Sequence, residues 1–264
     1  MVVDEVAICL PPSNLQLVEP ITRLCEDEGK IVRIPTDLAA MTLPGARVED
    51  FDGIRVLSLV YGPDRTVALF AKRFLDVALA AGGIVLLSPL LVVAALTLMI
   101  SEGRPVIFRQ VRVGLHGRLF RIVKFRTMTR DAEARYEEVE ALSDTRGAAF
   151  KMRNDPRITR LGRLLRKTSI DELPQLWNVL LGDMSLVGPR PAPPREVEGY
   201  DIWHRRRLSM KPGITGLWQV EARLDEEFDH RARLDLTYID RWSIWLDIKI
   251  IARTIPALVA NPGR

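Results

Sequence analysis

Two adjacent carboxylates, Asp171 and Glu172, lie in the run TSIDELPQLWN (168–178), and GDMSLVGPRP (182–191) follows closely. A carboxylate pair beside basic residues suits three tasks: attack on an electrophile, capture of a divalent cation, or capping of a helix. The capping reading has two registers. With Ser169 as N-cap and Glu172 three residues on, the pair belongs to a capping box, but Pro174 then sits where its missing N–H should bond Ile170. With Asp171 as N-cap, Pro174 falls in the first turn, where no partner is needed, so a helix is predicted to start at the carboxylates. Helix starts favour anions through free N–H groups and the dipole, and carboxylates, a divalent cation and phosphates can assemble there. Capping and chemistry both fit the pattern at this stage. Arg190 is flanked by Pro189 and Pro191, with Pro193 and Pro194 beyond, so its backbone is restricted. Arginine is the side chain best shaped for bidentate contact with phosphate. DPR (155–157) and KPG (211–213) are ordinary turn signals singly. Together with two basic clusters they favour a phosphorylated or diphosphate substrate. No HExxH, GxSxG or P-loop is present, Cys9 and Cys25 form no CxxC, and His116, His204 and His230 are scattered. Zinc chemistry, serine-hydrolase chemistry and a disulfide framework have no support.

These residues must be positioned by a chain of 264 residues, 47% hydrophobic and 27% charged. That is too apolar for disorder and long enough for one large domain, or one domain with an appendage. The formal charge of +4 hides a division: residues 1–66 hold 6 basic and 11 acidic residues, the remainder 32 and 23. Residues 103–130 carry eight basic residues and no acidic one, yet no nucleic-acid recognition motif accompanies them, and phosphate and membrane explain them.

The mean hydropathy of +0.05 is high for so charged a chain. Its source is Val77–Ile100, 24 residues without a charge. As a helix this run reaches ~36 Å, enough to cross a bilayer core. Lys72 and Arg73 precede it, and Arg104, Arg109 and Arg112 follow, so basic residues mark both flanks and give a straight crossing no orientation. Ser88–Pro89 lies at its midpoint, where proline removes a hydrogen bond and a serine hydroxyl can satisfy the freed carbonyl. A kinked spanning helix and a bent helix that returns to its own side both fit.

Upstream, Val2–Leu10, a helix over Asn14–Glu28 interrupted by Pro20, and strands at Ile31–Ile34 and Ile54–Val60 give a β-α-β pattern of doubly wound kind. It resembles half of a Rossmann-like domain, without GxGxxG. Downstream, a junction near Gly62–Pro63 leads to the apolar run. A hairpin is predicted for Val106–Val113 and Leu119–Phe125 around Gly114–Gly117, then a charged helix over Thr129–Leu142. Arg157–Lys167 is an amphipathic basic helix suited to an anionic membrane surface or to water. Trp242 and Trp245 introduce a helix, Leu246–Ile255, that Pro256 is expected to end, facing either the membrane interface or the core.

From Lys72 onward the chain resembles the bacterial sugar transferase family, the monotopic phosphoglycosyltransferases that act on polyprenyl phosphate. The resemblance rests on KRFLDVALA (72–80), SP (88–89), RQVRVG (109–114), FRIVKFRTM (120–128), DPRITRLGRLLRKTSIDELPQLWNVLLGDMSLVGPRP (155–191), KPGITGLWQV (211–220) and DLTYIDRWSIWLDIKI (235–250). It implies an α/β, helix-rich fold in three parts: a partial Rossmann-like accessory segment (1–66), a re-entrant membrane helix (67–103) broken at Ser88 and Pro89, and a cytosolic catalytic domain (104–264). The catalytic domain would sit on the cytoplasmic face of a bacterial inner membrane. The implied reaction moves a sugar-1-phosphate from a UDP-sugar to undecaprenyl phosphate and releases UMP, the first membrane step of exopolysaccharide, capsule or O-antigen synthesis. Asp171 matches the nucleophile and Glu172 its partner, with Mg²⁺ held in part by Asp171. Arg190 is the leading phosphate contact, and Lys124, Arg126, Asp155, Arg157, Arg166 and Asp183 are further candidate substrate contacts. Residues 1–61 resemble part of the longer family members, many of which use a hexose, so a hexose and a homodimer are the expectations, and the chain reads as a fragment or a short form. The competing reading is a catalytically silent membrane scaffold that binds anionic lipid.

Overall fold

The computed structural model describes residues 3–10, 12–35, 47–51, 54–59, 66–135, 155–222 and 227–260. Near the N-terminus, β1 (Glu5–Ala7), a 3-10 segment over Pro12–Leu17, α1 (Val18–Asp27) and β2 (Ile31–Pro35) form a β-α-β unit with parallel strands. The α-helix starts at Val18 rather than Asn14, which places Pro20 in its first turn, where a missing N–H leaves nothing unpaired. β3 (Arg47–Phe51), which has no counterpart in the predicted elements, and β4 (Ile54–Leu59) form a hairpin, and β4 runs antiparallel to β2. The sheet order is β1-β2-β4-β3. Only its first crossover matches a doubly wound fold. This unit docks on the rest of the chain through Asp4 with Arg118 and Glu28 with Arg205.

The apolar run lies within α2 (Thr66–Glu102), 37 residues and ~55 Å long. The helix is not broken at Ser88 and Pro89, as the resemblance implied, but continues through them. The ring nitrogen cannot bond the Val85 carbonyl, and the Ser88 hydroxyl donates to that carbonyl at 2.8 Å. One stripe of α2 packs on the domain that follows. Ala80, Ile84 and Leu87 meet Ile122, Leu176 and Met184, and Leu91, Ala94 and Leu98 meet Phe125 and Leu165. Apolar residues on both sides of Pro89 therefore rest on the same domain. The opposite face, with Phe74, Val85, Leu86, Val93 and Ile100, is exposed.

β5 (Ile107–Val113) and β6 (Leu119–Phe125) form the expected hairpin, Arg109 opposite Val123. Its turn places His116 and Gly117 at positive φ. Residues 130–135 run in turns rather than in the predicted charged helix, and the rest of that segment, like the Gly62–Pro63 junction, lies outside the described residues. α3 (Arg160–Thr168), a 3-10 helix over Ile170–Gln175 and α4 (Leu176–Leu181) follow without a break. β7 (Ser185–Val187) and β8 (Gly213–Thr215) are parallel. They come close enough that a Cβ on Gly188 would lie 2.3 Å from the Lys211 carbonyl, and one on Gly213 2.1 Å from the Gly188 nitrogen. Both glycines are therefore required by backbone contact. After α5 (Pro194–Glu198) and α6 (Leu217–Glu221), α7 (Phe228–Asp240) and α8 (Ile244–Ala260) close the core around Tyr238, Ile239, Trp242 and Ile250. α8 runs through Pro256 instead of ending there. Trp242 is buried, donating to Asp247 at 3.3 Å, while Trp245 is exposed. The two tryptophans thus divide the core and surface roles that the sequence left open.

Candidate active site

Asp171 and Glu172 lie in the 3-10 helix that begins at Ile170. The helix takes the Ser169 register, not the Asp171 one, but without the capping box. Ser169 is the cap residue, at φ 57°, and makes no side-chain capping bond, and Pro174 stands inside the 3-10 helix. The left-handed Ser169 makes α3 turn sharply into this helix. That turn brings Asp171 under the hairpin, where it is 7% exposed. On the hairpin, Phe108, Gln110, Arg112, Phe120, Ile122 and Lys124 share one face, by strand alternation and the Phe108–Lys124 and Arg112–Phe120 pairings. Lys124 donates to Glu172 at 2.7 Å. Asn178 of α4 fixes the strand that carries Lys124. Its Oδ1 accepts from the Val123 N–H at 2.9 Å and its Nδ2 donates to the Arg121 carbonyl at 2.8 Å.

Electrostatics single out Asp171. Burial, with the charge of Glu172 second, pushes its carboxyl up to about 6, against the pull of Lys124 and Arg166. Burial likewise draws the Arg166 guanidinium below its ordinary value, and Asp171 is the largest opposing influence. Arg166 is oriented by a bond from Nε to the Thr127 hydroxyl at 2.9 Å. The docking of α3 on residue 127 explains why: Thr159 caps α3 by accepting from the Gly162 N–H, the Thr159 N–H bonds the Thr127 carbonyl, and a Cβ on Gly162 would lie 2.1 Å from that carbonyl. The site therefore holds two carboxylates and two cations in one partly dry pocket, the environment in which a carboxylate is raised toward a working pKa.

The other predicted residues divide by location. Arg190 makes no contact with the dyad. Its Nη1 bonds both oxygens of buried Glu196, at 2.9 and 3.1 Å, within a network that continues through Tyr200 to Arg207 and Asp235. Asp155 and Arg157 are buried against each other, Nη2 to Oδ2 at 2.6 Å, and Arg157 also donates to the Ala132 carbonyl, so the pair braces the loop after β6. Arg126 donates to the carbonyls of Glu102 and Gly103 and ties down the end of α2. Asp183 lies 3.4 Å from the Asn178 amide, beyond α4 from the dyad. Ser88 and Pro89 are exposed on α2.

The flanking basics Lys72 and Arg73, whose charges suggested a membrane edge, are committed to the domain. Lys72 is buried and bonds Asp247 at 2.6 Å and the Val187 carbonyl at 3.1 Å. Arg73 caps α4 through the carbonyls of Val179 and Leu180. Asp76, one turn on from Lys72, accepts from the Ser185 hydroxyl and the Leu186 N–H. The signal was present as three charges on one face at helical spacing, but it reads identically to a basic membrane flank.

The bacterial sugar transferase family model matches residues 67–261, and this chain belongs to that family. It is similar to the galactosyl transferase CpsE of Streptococcus agalactiae serotype III (strain NEM316), 42% identical over 248 residues, 93% of this chain and 55% of that protein. It is also similar to the undecaprenyl-phosphate galactose phosphotransferase of Salmonella typhimurium (strain LT2), 42% identical over 198 residues, 74% and 41% of the two chains. Exopolysaccharide production protein ExoY of Rhizobium meliloti (strain 1021) is 39% identical over 207 residues, 76% of this chain and 91% of ExoY. The chain spans about half the length of the first two relatives.

Proposed function

We propose that this chain transfers a hexose-1-phosphate from a UDP-sugar to undecaprenyl phosphate, in two displacements on Asp171. One observation carries the reading: a nearly dry carboxylate, raised to about 6, beside a second carboxylate and two cations. At pH 7 such a group is mostly ionised, and it is poorly solvated, which favours nucleophilic attack. Its carboxylate oxygen bonds to the β-phosphorus while the bond to the bridging oxygen breaks and UMP leaves. A phosphate oxygen of the lipid then attacks the aspartyl-phosphosugar, forming the lipid diphosphosugar and freeing the carboxylate. Glu172, held by Lys124, keeps the cation beside the reacting phosphate, and Arg166 faces the developing charge.

Among the described residues, no third Asp, Glu, His or Cys joins the dyad to make a protein metal cage. Two hard carboxylates without a cage fit Mg²⁺, which takes one or two protein carboxylates and completes its shell with phosphate oxygens and water. Asp171 would hold it, and when bound it would offset charge on the diphosphate.

We further infer that α2 enters the cytoplasmic leaflet of a bacterial inner membrane and returns. Its contact with one domain on both sides of Pro89 supports this, since a straight crossing would strip one half from that domain. We assign residues 1–66 as an accessory unit, 67–103 as the membrane helix and 104–264 as the catalytic domain.

The test is UMP release from UDP-glucose, UDP-galactose and N-acetylated UDP-sugars, with undecaprenyl phosphate and Mg²⁺. Release with a hexose donor that Asp171→Asn abolishes supports the reading. No release with any donor favours the scaffold.

A further inference from the structure

Arg112 is the one large cation on the dyad-facing side of the hairpin that none of these roles uses. It shares that face with Lys124. Its hydrogen bonds go to neutral acceptors only, the Pro191 carbonyl at 3.2 Å and the Gln110 side chain at 2.6 Å. Its Nε is buried without a partner, and among the described residues no carboxylate lies within ion-pairing distance of it. Burial, and next the charge of Arg190, pull the guanidinium down to about 10, with Glu196 and Glu172 opposing. A half-buried cation with an unsatisfied N–H and no carboxylate partner is a local excess of positive charge. Arg112 reaches the Pro191 carbonyl, and Glu172 is among the charges that act on it.

We infer that Arg112 is a phosphate subsite on the dyad-facing side of the hairpin, its guanidinium donating to a phosphate oxygen of the substrate. The Pro191 carbonyl orients the Arg112 guanidinium. The inference rests on the proposed transfer for its biological ligand, which is either the α-phosphate of the sugar nucleotide or the head group of the lipid. Both present the same anionic oxygens. Arginine suits this role because its planar fork keeps the Pro191 bond while a second N–H reaches the ligand.

The experiment has a binding arm and a kinetic arm, both on the full chain in detergent. In the first, wild type, Arg112→Gln and Arg112→Lys are titrated with inorganic phosphate and with UMP, and thermal unfolding is followed. The expected result is an affinity about 10- to 100-fold weaker in Arg112→Gln for at least one probe, the range of a lost charge-assisted bond, partly recovered in Arg112→Lys, with the ligand-free midpoint unchanged. Equal affinities for both probes in all three proteins overturn the subsite. So does a fall in the ligand-free midpoint with affinity retained, which marks Arg112 as a brace for the loop. In the second arm, a rise in KM for the UDP-sugar alone assigns the subsite to the nucleotide, and a rise for undecaprenyl phosphate alone assigns it to the lipid. A drop in kcat with both KM values unchanged counts against it. If wild type transfers no sugar, the proposed function fails while the phosphate titration still decides the subsite.

Discussion

Asp171→Asn is predicted to abolish UMP release and to make the protein more stable, because the ionised carboxylate is carried against the preference of its surroundings. The group titrates near 3.8 when exposed and near 6 in the fold. Each pH unit between the two is worth about 1.4 kcal/mol, so the folded state carries a penalty on the order of 3 kcal/mol at pH 7. The sign follows from proton counts: between the two values the folded protein holds a proton that the unfolded chain has lost, so stability falls as pH rises from about 4 to 6. The asparagine variant is free of this term. Its advantage should be full at pH 7–8, about half as large at pH 5 and small at pH 4. For a chain of this size 3 kcal/mol corresponds to a midpoint shift of roughly 6–10 °C. Thermal unfolding in detergent, followed by tryptophan fluorescence at pH 8, 7, 5 and 4, measures it. Equal midpoints at pH 8, or an advantage that does not shrink toward pH 4, refutes the reasoning.

Three further perturbations probe the surroundings. Lys124→Met removes a cation that lowers the Asp171 carboxyl, so the acid limb of kcat/KM should move above pH 6, whereas Glu172→Gln removes a like charge and should move it below; limbs that stay fixed in both variants contradict the electrostatic account. Lys72→Met strands buried Asp247 without its 2.6 Å partner, and unfolding measurements should show a loss of about 3–5 kcal/mol; a loss under 1 kcal/mol means that the pair anchors little. On the proposed re-entrant path, Pro89→Ala, which returns an N–H to the Val85 carbonyl, should send one terminus across the membrane; cysteine labelling that finds both termini still on one face rejects this.

Much of the architecture was legible because it follows from local chemistry. The uncharged run from Val77 to Ile100 could only be a long apolar helix. Glycines at 114 and 117 between two alternating runs marked the hairpin within one residue. The basic amphipathic stretch beginning at Arg157 became α3. Elements set by tertiary contact were not legible. β3 exists through its pairing with β4, and α8 passes Pro256 with its other face held by Ile250 in the core. At the site, the Asp171–Glu172 pair stood out as types in sequence, but its raised carboxyl depends on the hairpin that covers it. Asp155 and Arg157 read as two substrate contacts because a turn motif does not reveal that its charges face each other. Asn178 carried no signal beyond its place in a quoted motif, since its value lies in two backbone groups more than fifty residues away.

The central claim is a covalent bond between Asp171 and the phosphosugar. Incubation with a UDP-hexose and Mg²⁺ in the absence of undecaprenyl phosphate, followed by acid quench, digestion and mass spectrometry, examines it directly. The account predicts UMP release equivalent to at most one turnover and a hexose-phosphate adduct on the peptide containing Asp171, lost on later addition of the lipid phosphate and never formed by Asp171→Asn. UMP release that requires the lipid from the first turnover, with no adduct on Asp171, would contradict it.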